Sequence, residues 1–203
     1  MADIRDQTIR DVSKTLLDLL RRNLTDINSD LLSPKVPGAN RLTLFLYKVI
    51  ENAYLKNEDH QMLATNNEGK LIEIQSPLTV DLYYLLTAHS GSGFNLLEAH
   101  RALSRAMRVF YDNSILRGSL LRAEDPNTGL TDDSVLRVTL NPITMEDMTR
   151  IWSVFPDTPY EISVTYLVTP VAIESARRAE SAPVVDQLHE QGQRGAELES
   201  VRT

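Results

Sequence analysis

The stretch Pro77-Leu78-Thr79-Val80-Asp81-Leu82-Tyr83-Tyr84-Leu85-Leu86-Thr87-Ala88 decides the fold. Leu78, Val80, Leu82, Tyr84 and Leu86 fall on one face of an extended chain, and Thr79, Asp81, Tyr83 and Leu85 on the other. Successive side chains of a strand point to opposite faces, so this period of two predicts a long strand over residues 78–87. Upstream, residues 41–51 (RLTLFLYKVIE) are apolar on both alternating sets, with Leu42, Leu44 and Leu46 against Phe45, Tyr47 and Val49. A strand covered on both faces reads in this way. Residues 52–75 between them are polar, with a turn signal at Asn66-Asn67-Glu68-Gly69. Leu71-Ile72-Glu73-Ile74 after that turn could form one arm of a hairpin.

Working outward, the period changes. Ile9, Val12, Leu16, Leu19, Leu20 and Leu24 recur every three or four residues and predict an amphipathic helix within residues 4–24. Its polar side carries Asp11, Lys14, Asp18, Arg21 and Arg22, left for water or a partner. Residues 31–40 hold two prolines and a glycine and are expected to form an extended loop. After the Ser-Gly-Ser-Gly turn at residues 90–93, Asn95 and Glu98 have capping-box spacing. Leu96, Ala99, Leu103, Ala106, Met107 and Phe110 form the stripe of a second helix, with Arg101, Arg105 and Arg108 on its opposite side. Residues 112–133 are expected to be irregular, on the strong turn signal Asp125-Pro126-Asn127-Thr128-Gly129. Residues 134–140 alternate as a strand. Thr144 and Asp147 look like the N-cap and third residue of a short helix reaching Phe155, which carries Met145, Met148, Ile151 and Trp152. Residues 160–173 are the last strand, with Tyr160, Ile162, Val164, Tyr166 and Val168 on one side. Beyond residue 174 the apolar residues thin out, and an isolated tail of that kind could not offset its ordering entropy. The expected organisation is a domain over residues 1–173 and a polar C-terminal tail over 174–203, docked on partners. The class is α+β, a mixed and mostly antiparallel sheet flanked by helices.

Composition narrows the function. The 203 residues include 21 Lys and Arg against 28 Asp and Glu, a net charge of −7, and no cysteine. An acidic chain is a poor nucleic-acid clamp, because phosphate recognition needs a basic footprint. Without cysteine there is no disulfide, zinc–thiolate site, iron–sulfur cluster or thiol nucleophile. No run approaches the roughly 18 apolar residues of a membrane helix, and Met1 to Gln7 lacks a basic-then-apolar leader pattern. The expectation is a chain made and folded in the cytoplasm, without insertion into a bilayer. Catalytic signals are missing. Gly91-Ser92-Gly93 lies between a strand and a helix, but the dinucleotide fingerprint needs a third glycine where Leu96 stands. His60, His89, His100 and His189 are scattered, and no pair has metal-ligand spacing. Ser90 and Ser92 beside His89 read as turn chemistry. No enzyme, metal or cofactor is expected.

The arginine stripe has two readings: a solvated helix face, or a contact for an acidic neighbour through forked bonds to carboxylates. Trp152 with Ile151 and Phe155 reads as core or as an anchor for a partner.

Several of these segments also carry a resemblance. Leu44-Phe45-Leu46-Tyr47-Lys48-Val49-Ile50-Glu51-Asn52 is similar to a strand ending in Leu-Tyr-x-Val-x-Glu-Asn. The stretch at residues 77–88 is similar to Pro-Leu-x-x-Asp-Leu-x-Tyr-Leu-Leu-Thr-Ala. The helix with Glu98, Leu103 and Met107, then Met145-Glu146-Asp147-Met148 with Trp152, and Tyr160-Glu161-Ile162-Ser163-Val164-Thr165-Tyr166 follow in order. Together they resemble the cap, or tail-terminator, proteins of extracellular contractile injection systems of the antifeeding-prophage and virulence-cassette type, in their shared N-terminal domain. The resemblance covers residues 4–173. It departs at Ala102-Leu103-Ser104, where a small residue is usual, and it places nothing after Glu174.

The resemblance implies a tail-terminator-like fold and a structural, non-catalytic role. A homo-hexameric ring would sit on the last layer of inner tube and contractile sheath, end polymerisation and hold the sheath end. Its partners would be itself, the sheath protein and the inner tube protein. It would assemble in the bacterial cytoplasm, as part of a particle that can be released. Candidate contacts are Arg101, Arg105 and Arg108, facing an acidic surface such as Asp132-Asp133 or Glu58-Asp59, together with Tyr160 and Tyr166. Residues 160–173, leading into the tail, are the candidate for strand exchange with a neighbour. The alternatives are an adaptor tethering cargo or an anchoring factor to the particle, and a small nucleotide-binding enzyme using residues 90–95.

Overall fold

The computed structural model describes residues 7–30, 41–56, 62–65, 71–74, 76–90, 95–121, 130, 133–175 and 178–180. The chain forms two units, one from residues 1–59 and 77–174 and one from 60–76 and 175–203. In the first unit, α1 (Thr8–Asn23) leads to β1 (Ser29–Asp30) and β2 (Leu42–Glu51). They are followed by β5 (Leu78–Ala88), α2 (Leu96–Asp112), β6 (Ile115–Arg117), β7 (Val135–Leu140), α3 (Met145–Trp152) and β8 (Ser163–Ile173). The second unit contains β3 (Met62–Thr65), β4 (Leu71–Ile74) and β9 (Arg178–Glu180), paired in the order β3-β4-β9. The hairpin expected at Leu71–Ile74 is therefore present, with Met62–Thr65 as its other arm.

The main sheet runs β1-β2-β5-β8-β7-β6. The β2, β5, β8, β7 and β6 pairings are antiparallel, and the two-residue β1 adds a parallel pairing at the β2 end. β5 is the hub. It pairs with β2 from Leu42↔Ala88 to Glu51↔Val80, and with β8 from Leu78↔Ile173 to Thr87↔Ser163. Its C-terminal half is buried on both faces: Tyr84, Leu85, Leu86 and Ala88 all have zero exposure. On one face, Val80, Leu82, Tyr84 and Leu86 meet α1 through Val12, Leu16 and Leu20, and α2 through Ala99, Ala106 and Phe110. On the other, Leu85 packs with Met148 and Trp152 of α3, flanked by Phe45 and Tyr47. Helices thus lie on both faces: α1 and α2 on one, α3 on the other.

The caps follow the local sequence. Asn95 Oδ1 accepts from the Glu98 backbone N–H at 2.9 Å and starts α2. Thr144 Oγ1 accepts from the Asp147 N–H at 3.1 Å and starts α3. A side-chain oxygen at this position satisfies one of the donors that the first helical turn leaves open.

Several expectations need correction. β2 is covered on both faces only at its start; Val49 is 46% and Ile50 38% exposed, because no helix extends over its far end. Leu96, placed on the apolar stripe of the second helix, is 55% exposed, and Met145 is 69% exposed, each being the first residue of its helix. Asp11, assigned to the polar side of α1, is 2% exposed, with Arg10 Nε 3.2 Å from its carboxylate. The segment expected to be irregular holds β6 and a 3-10 turn at Gly118–Leu120, where Gly118 takes φ +56°, a left-handed conformation that suits glycine. The loop at 31–40 and the turns at 66–69, 90–93 and 125–129 lie wholly or largely outside the described residues.

Two bulges interrupt β5's ladders. Opposite β2 the register shifts between Leu46 and Lys48, so Tyr47 is an extra residue. Opposite β8 it shifts between Val80 and Leu82. The Asp81 carboxylate there accepts from Asn52 Nδ2 at 2.9 Å and from the Thr169 hydroxyl. Asn52 Oδ1 in turn accepts from the N–H groups of Tyr54 and Leu55. One carboxylate and one amide thus tie β5 to β8 and to the residue that follows β2.

Three outcomes follow for stability. Leu82→Ala, at a fully buried position, is expected to cost about 2–5 kcal/mol in denaturant unfolding. Burial pushes the Tyr84 phenol up to about 12, opposed by its 2.7 Å bond to the Ser13 hydroxyl. The folded value lies above the unfolded one of about 10, so neutral Tyr84 stabilises the fold below pH ~10 and the contribution is lost as pH rises toward 12. The unfolding midpoint should fall across that window, and fall less in Tyr84→Phe. His89 is 9% exposed with Nε2 2.9 Å from Thr43 Oγ1, and burial pushes it below its ordinary value, against the opposing field of Glu161. Its contribution is present above pH ~6.5 and lost as pH falls through the lowered folded value. The midpoint should drop on acidification, and His89→Gln should flatten that limb.

Candidate assembly surfaces

The second helix presents a ridge. Leu97, Arg101, Ser104, Arg108 and Tyr111 are spaced four, three, four and three residues apart, and all are exposed. That spacing keeps them on one side of a helix. Leu97 is 73% and Tyr111 83% exposed, so the ridge has an apolar residue at each end and arginines between. The three arginines expected to act together divide by role. Arg105 is turned toward the α1–β1 connection, where its guanidinium donates to Asp26 at 2.6 Å. That bond holds the Asp26 carboxyl below the usual carboxylate range and raises Arg105. Arg101 lies 3.8 Å from Glu98 on its own helix. Arg108 is exposed.

The two tyrosines also separate. Tyr160 is 52% exposed, with its ring edge-on to Trp152 at 5.4 Å. Tyr166 is 4% exposed and packs edge-on against Phe110 at 4.9 Å. Burial pushes its phenol up to about 12. Tyr166 is a core residue, which corrects its assignment as a surface contact. The strand-exchange expectation for residues 160–173 is narrowed by the sheet order. β8 lies between β5 and β7, so its residues 166–168 are paired on both sides, whereas residues 171–173 pair with β5 alone. A strand can be added only where an edge is free, which excludes the middle of β8. Of the acidic counterparts expected for the arginines, Asp133 is exposed, while Glu58, Asp59 and Asp132 lie outside the described residues.

The sequence reading missed a groove. α3 has eight residues and covers only part of its sheet face. Beside it opens a concavity of about 550 Å³, lined by Phe45, Tyr47 and Tyr83 from the sheet and by Ile151, Val154 and Phe155 from the α3 region. Lys48 and Asp147 contribute polar groups to the same lining. The bulge at Tyr47 explains this composition. An extra residue breaks the alternation, so neighbours Tyr47 and Lys48 both reach the groove, and Lys48 Nζ lies 5.0 Å from the Tyr83 ring centre. Tyr47 and Tyr83 meet edge-on at 6.2 Å. Arg150 also lines the groove, donating to Glu146 at 2.6 Å and lying 4.0 Å from the Asp147 carboxylate. No sequence signal announces the bulge.

The remaining polar candidates are accounted for locally. Ser90 Oγ donates to the Glu161 carboxylate at 3.0 Å rather than pairing with His89, and His89 meets Thr43. Among the described residues no group of three His, Cys, Asp or Glu could hold a metal ion, and no helix is long and apolar enough to cross a membrane. His60, His189 and Gly91-Ser92-Gly93 lie outside the described residues.

The fold has relatives among solved structures. The chain is similar to the sheath/tube terminator of PVC, an extracellular contractile injection system, in its extended state, with a TM-score of 0.59 and 19% identity. It is similar to the tube-terminating cap of the anti-feeding prophage, with a TM-score of 0.58 and 17% identity. The matches take in 86% and 85% of this chain but 59% and 57% of those chains, so it spans a little over half their length. At these identities the likeness is one of fold. No curated protein matches the chain. Its sequence does match the family model of the Pvc16 N-terminal domain over residues 11–187, a span that takes in every strand among the described residues and all of their helices but the start of α1. The chain belongs to the Pvc16 N-terminal domain family.

Proposed function

We propose that this chain is a structural cap of a phage-tail-like contractile injection particle. A ring of copies, six in the simplest form, would sit on the distal end of the inner tube and sheath, end polymerisation and hold the sheath end. The observation that carries this reading is the family match across residues 11–187. The likeness in fold to a sheath/tube terminator and a tube-terminating cap supports it.

The physical character of the surface agrees with such a role. A ring subunit needs two different contact faces, because a closed ring repeats one heterologous interface. The α2 ridge and the α3 groove lie on opposite faces of one sheet and differ in chemistry. The groove combines aromatic and aliphatic walls with a few charges at its rim, the mixture common at protein contacts. The role is non-catalytic, its partners are further copies, tube and sheath, and assembly takes place in the bacterial cytoplasm.

The reading is tested by polymerising the particle's purified tube and sheath proteins with and without the full chain, and imaging them by electron microscopy. The expected result is shorter polymers whose ends carry extra density, with the chain recovered in the polymer pellet at low stoichiometry. Unchanged polymer lengths and an empty pellet would overturn it.

A further inference from the structure

The outer edge of β2 is the longest unpaired run on the described sheets. β2 pairs with β5 along its whole length, whereas β1 reaches only Leu42 and Thr43 on the other side. Among the described residues, no strand pairs with residues 44–51 on that side. The ladder shows which main-chain groups are left over. The Asn52 N–H donates to the Thr79 carbonyl of β5, and the His89 N–H donates to the Arg41 carbonyl. Antiparallel pairing turns alternate residues toward and away from a neighbour, and the extra residue at Tyr47 resets the alternation. Leu44, Leu46, Val49 and Glu51 therefore direct their N–H and C=O groups outward. Leu42, turned the same way, already donates to the Asn28 carbonyl ahead of β1.

The side chains along this edge are suited to being covered. Natural edges are blunted with charges and bulges, and β2 has Lys48 and the Tyr47 bulge at its middle. Beyond them, however, Val49 and Ile50 present exposed apolar side chains to opposite faces of the sheet. One strand laid beside them would cover both. On the α3 face, Phe45, Tyr47 and Lys48 of this same edge strand line the groove. An added strand would therefore set every second side chain against the groove wall. Charge selects among those side chains. Arg150 is held by Glu146 and Asp147, and Glu51 by Lys56 at 2.9 Å. Lys48 has no carboxylate partner among the described residues, and its ammonium rests over the Tyr83 ring.

We infer that the outer edge of β2 binds an extended segment of another protein, added as a further strand of the main sheet. The segment carries bulky apolar side chains at the alternate positions that face α3, and an acidic one opposite Lys48. Main-chain hydrogen bonds to Leu44, Leu46, Val49 and Glu51 supply the affinity, and the aromatic wall supplies the selection. The chain's own C-terminal residues 181–203 do not have this pattern. Their large apolar residues are Val184, Val185, Leu188, Leu198 and Val201, no two of them two positions apart, so the strand comes from a different polypeptide. The inference goes beyond the cap reading and does not depend on it.

The test pans a phage-displayed library of random dodecapeptides on the full-length chain. Enriched peptides should alternate bulky apolar residues and carry Asp or Glu. A synthetic copy of one of them, at saturation, should slow amide hydrogen exchange at Leu44, Leu46, Val49 and Glu51 at least tenfold by NMR. Val49→Pro should weaken that peptide at least tenfold. It removes an outward N–H that no bond within the chain uses, and proline is tolerated at such edge positions, so thermal melting should stay near the wild type. Lys48→Glu should weaken the peptide too, and a peptide with its acid changed to lysine should regain affinity for K48E alone. This charge swap decides the matter even where Val49→Pro does not fold. A library without enrichment would overturn the inference, as would peptides that bind and leave the four amides unchanged. So would a folded Val49→Pro variant that binds as the wild type does, or a K48E variant indifferent to the swap. Slow exchange of the same amides in the free chain, lost on dilution, would give the edge to a second copy and overturn it as well. None of these results alters the polymer-capping outcome above, so the two readings fail separately.

Discussion

A strand buried on both faces has to be covered twice, and β5 imposes that requirement on everything around it. Its residues from Tyr84 to Ala88 have no solvent contact on either side. Both of its edges are taken by antiparallel neighbours. Main-chain hydrogen bonds fix the lateral order, and apolar side chains on the two faces demand helices above and below. α1 and α2 supply one cover with long apolar stripes. α3 is too short to supply all of the other. The groove is what remains of an incompletely covered face, and its aromatic walls are the sheet residues that a longer helix would have buried.

The parts that could be read from the chain are those in which periodicity and burial agree. Leu82, Tyr84 and Leu86 alternate cleanly, and Val12, Leu16 and Leu20 recur at helical spacing, so strand and helix were both legible, as were the caps at Asn95 and Thr144. The misreadings arise where topology decides. Tyr166 looks like a surface tyrosine because it alternates with polar residues, yet β8 is placed centrally and turns that side toward Phe110. The same central position takes residues 166–168 out of reach of a strand from elsewhere. β6 escaped notice because three residues carry almost no period. The Tyr47 bulge was invisible because an extra residue looks the same in sequence as a regular one.

The candidate surfaces were legible only in part. Arg101, Arg105 and Arg108 share one side of a helix by arithmetic, but only the fold shows that Arg105 is tied to Asp26 while the other two point outward.

The small second sheet carries a consequence of another kind. Its middle strand, β4, pairs with β9 through Ile72↔Glu180 and Ile74↔Arg178. The first partner, β3, lies a few residues upstream, whereas the second comes only after the whole main sheet has been translated. During synthesis the β3–β4 hairpin must wait as a two-stranded element, a size of sheet that is marginal by itself in water. Closing it therefore has to wait until translation has passed β8. A contact between such distant segments forms slowly, and the Arg178–Glu180 strand acts as a latch that is supplied only after every strand of the main sheet has been made.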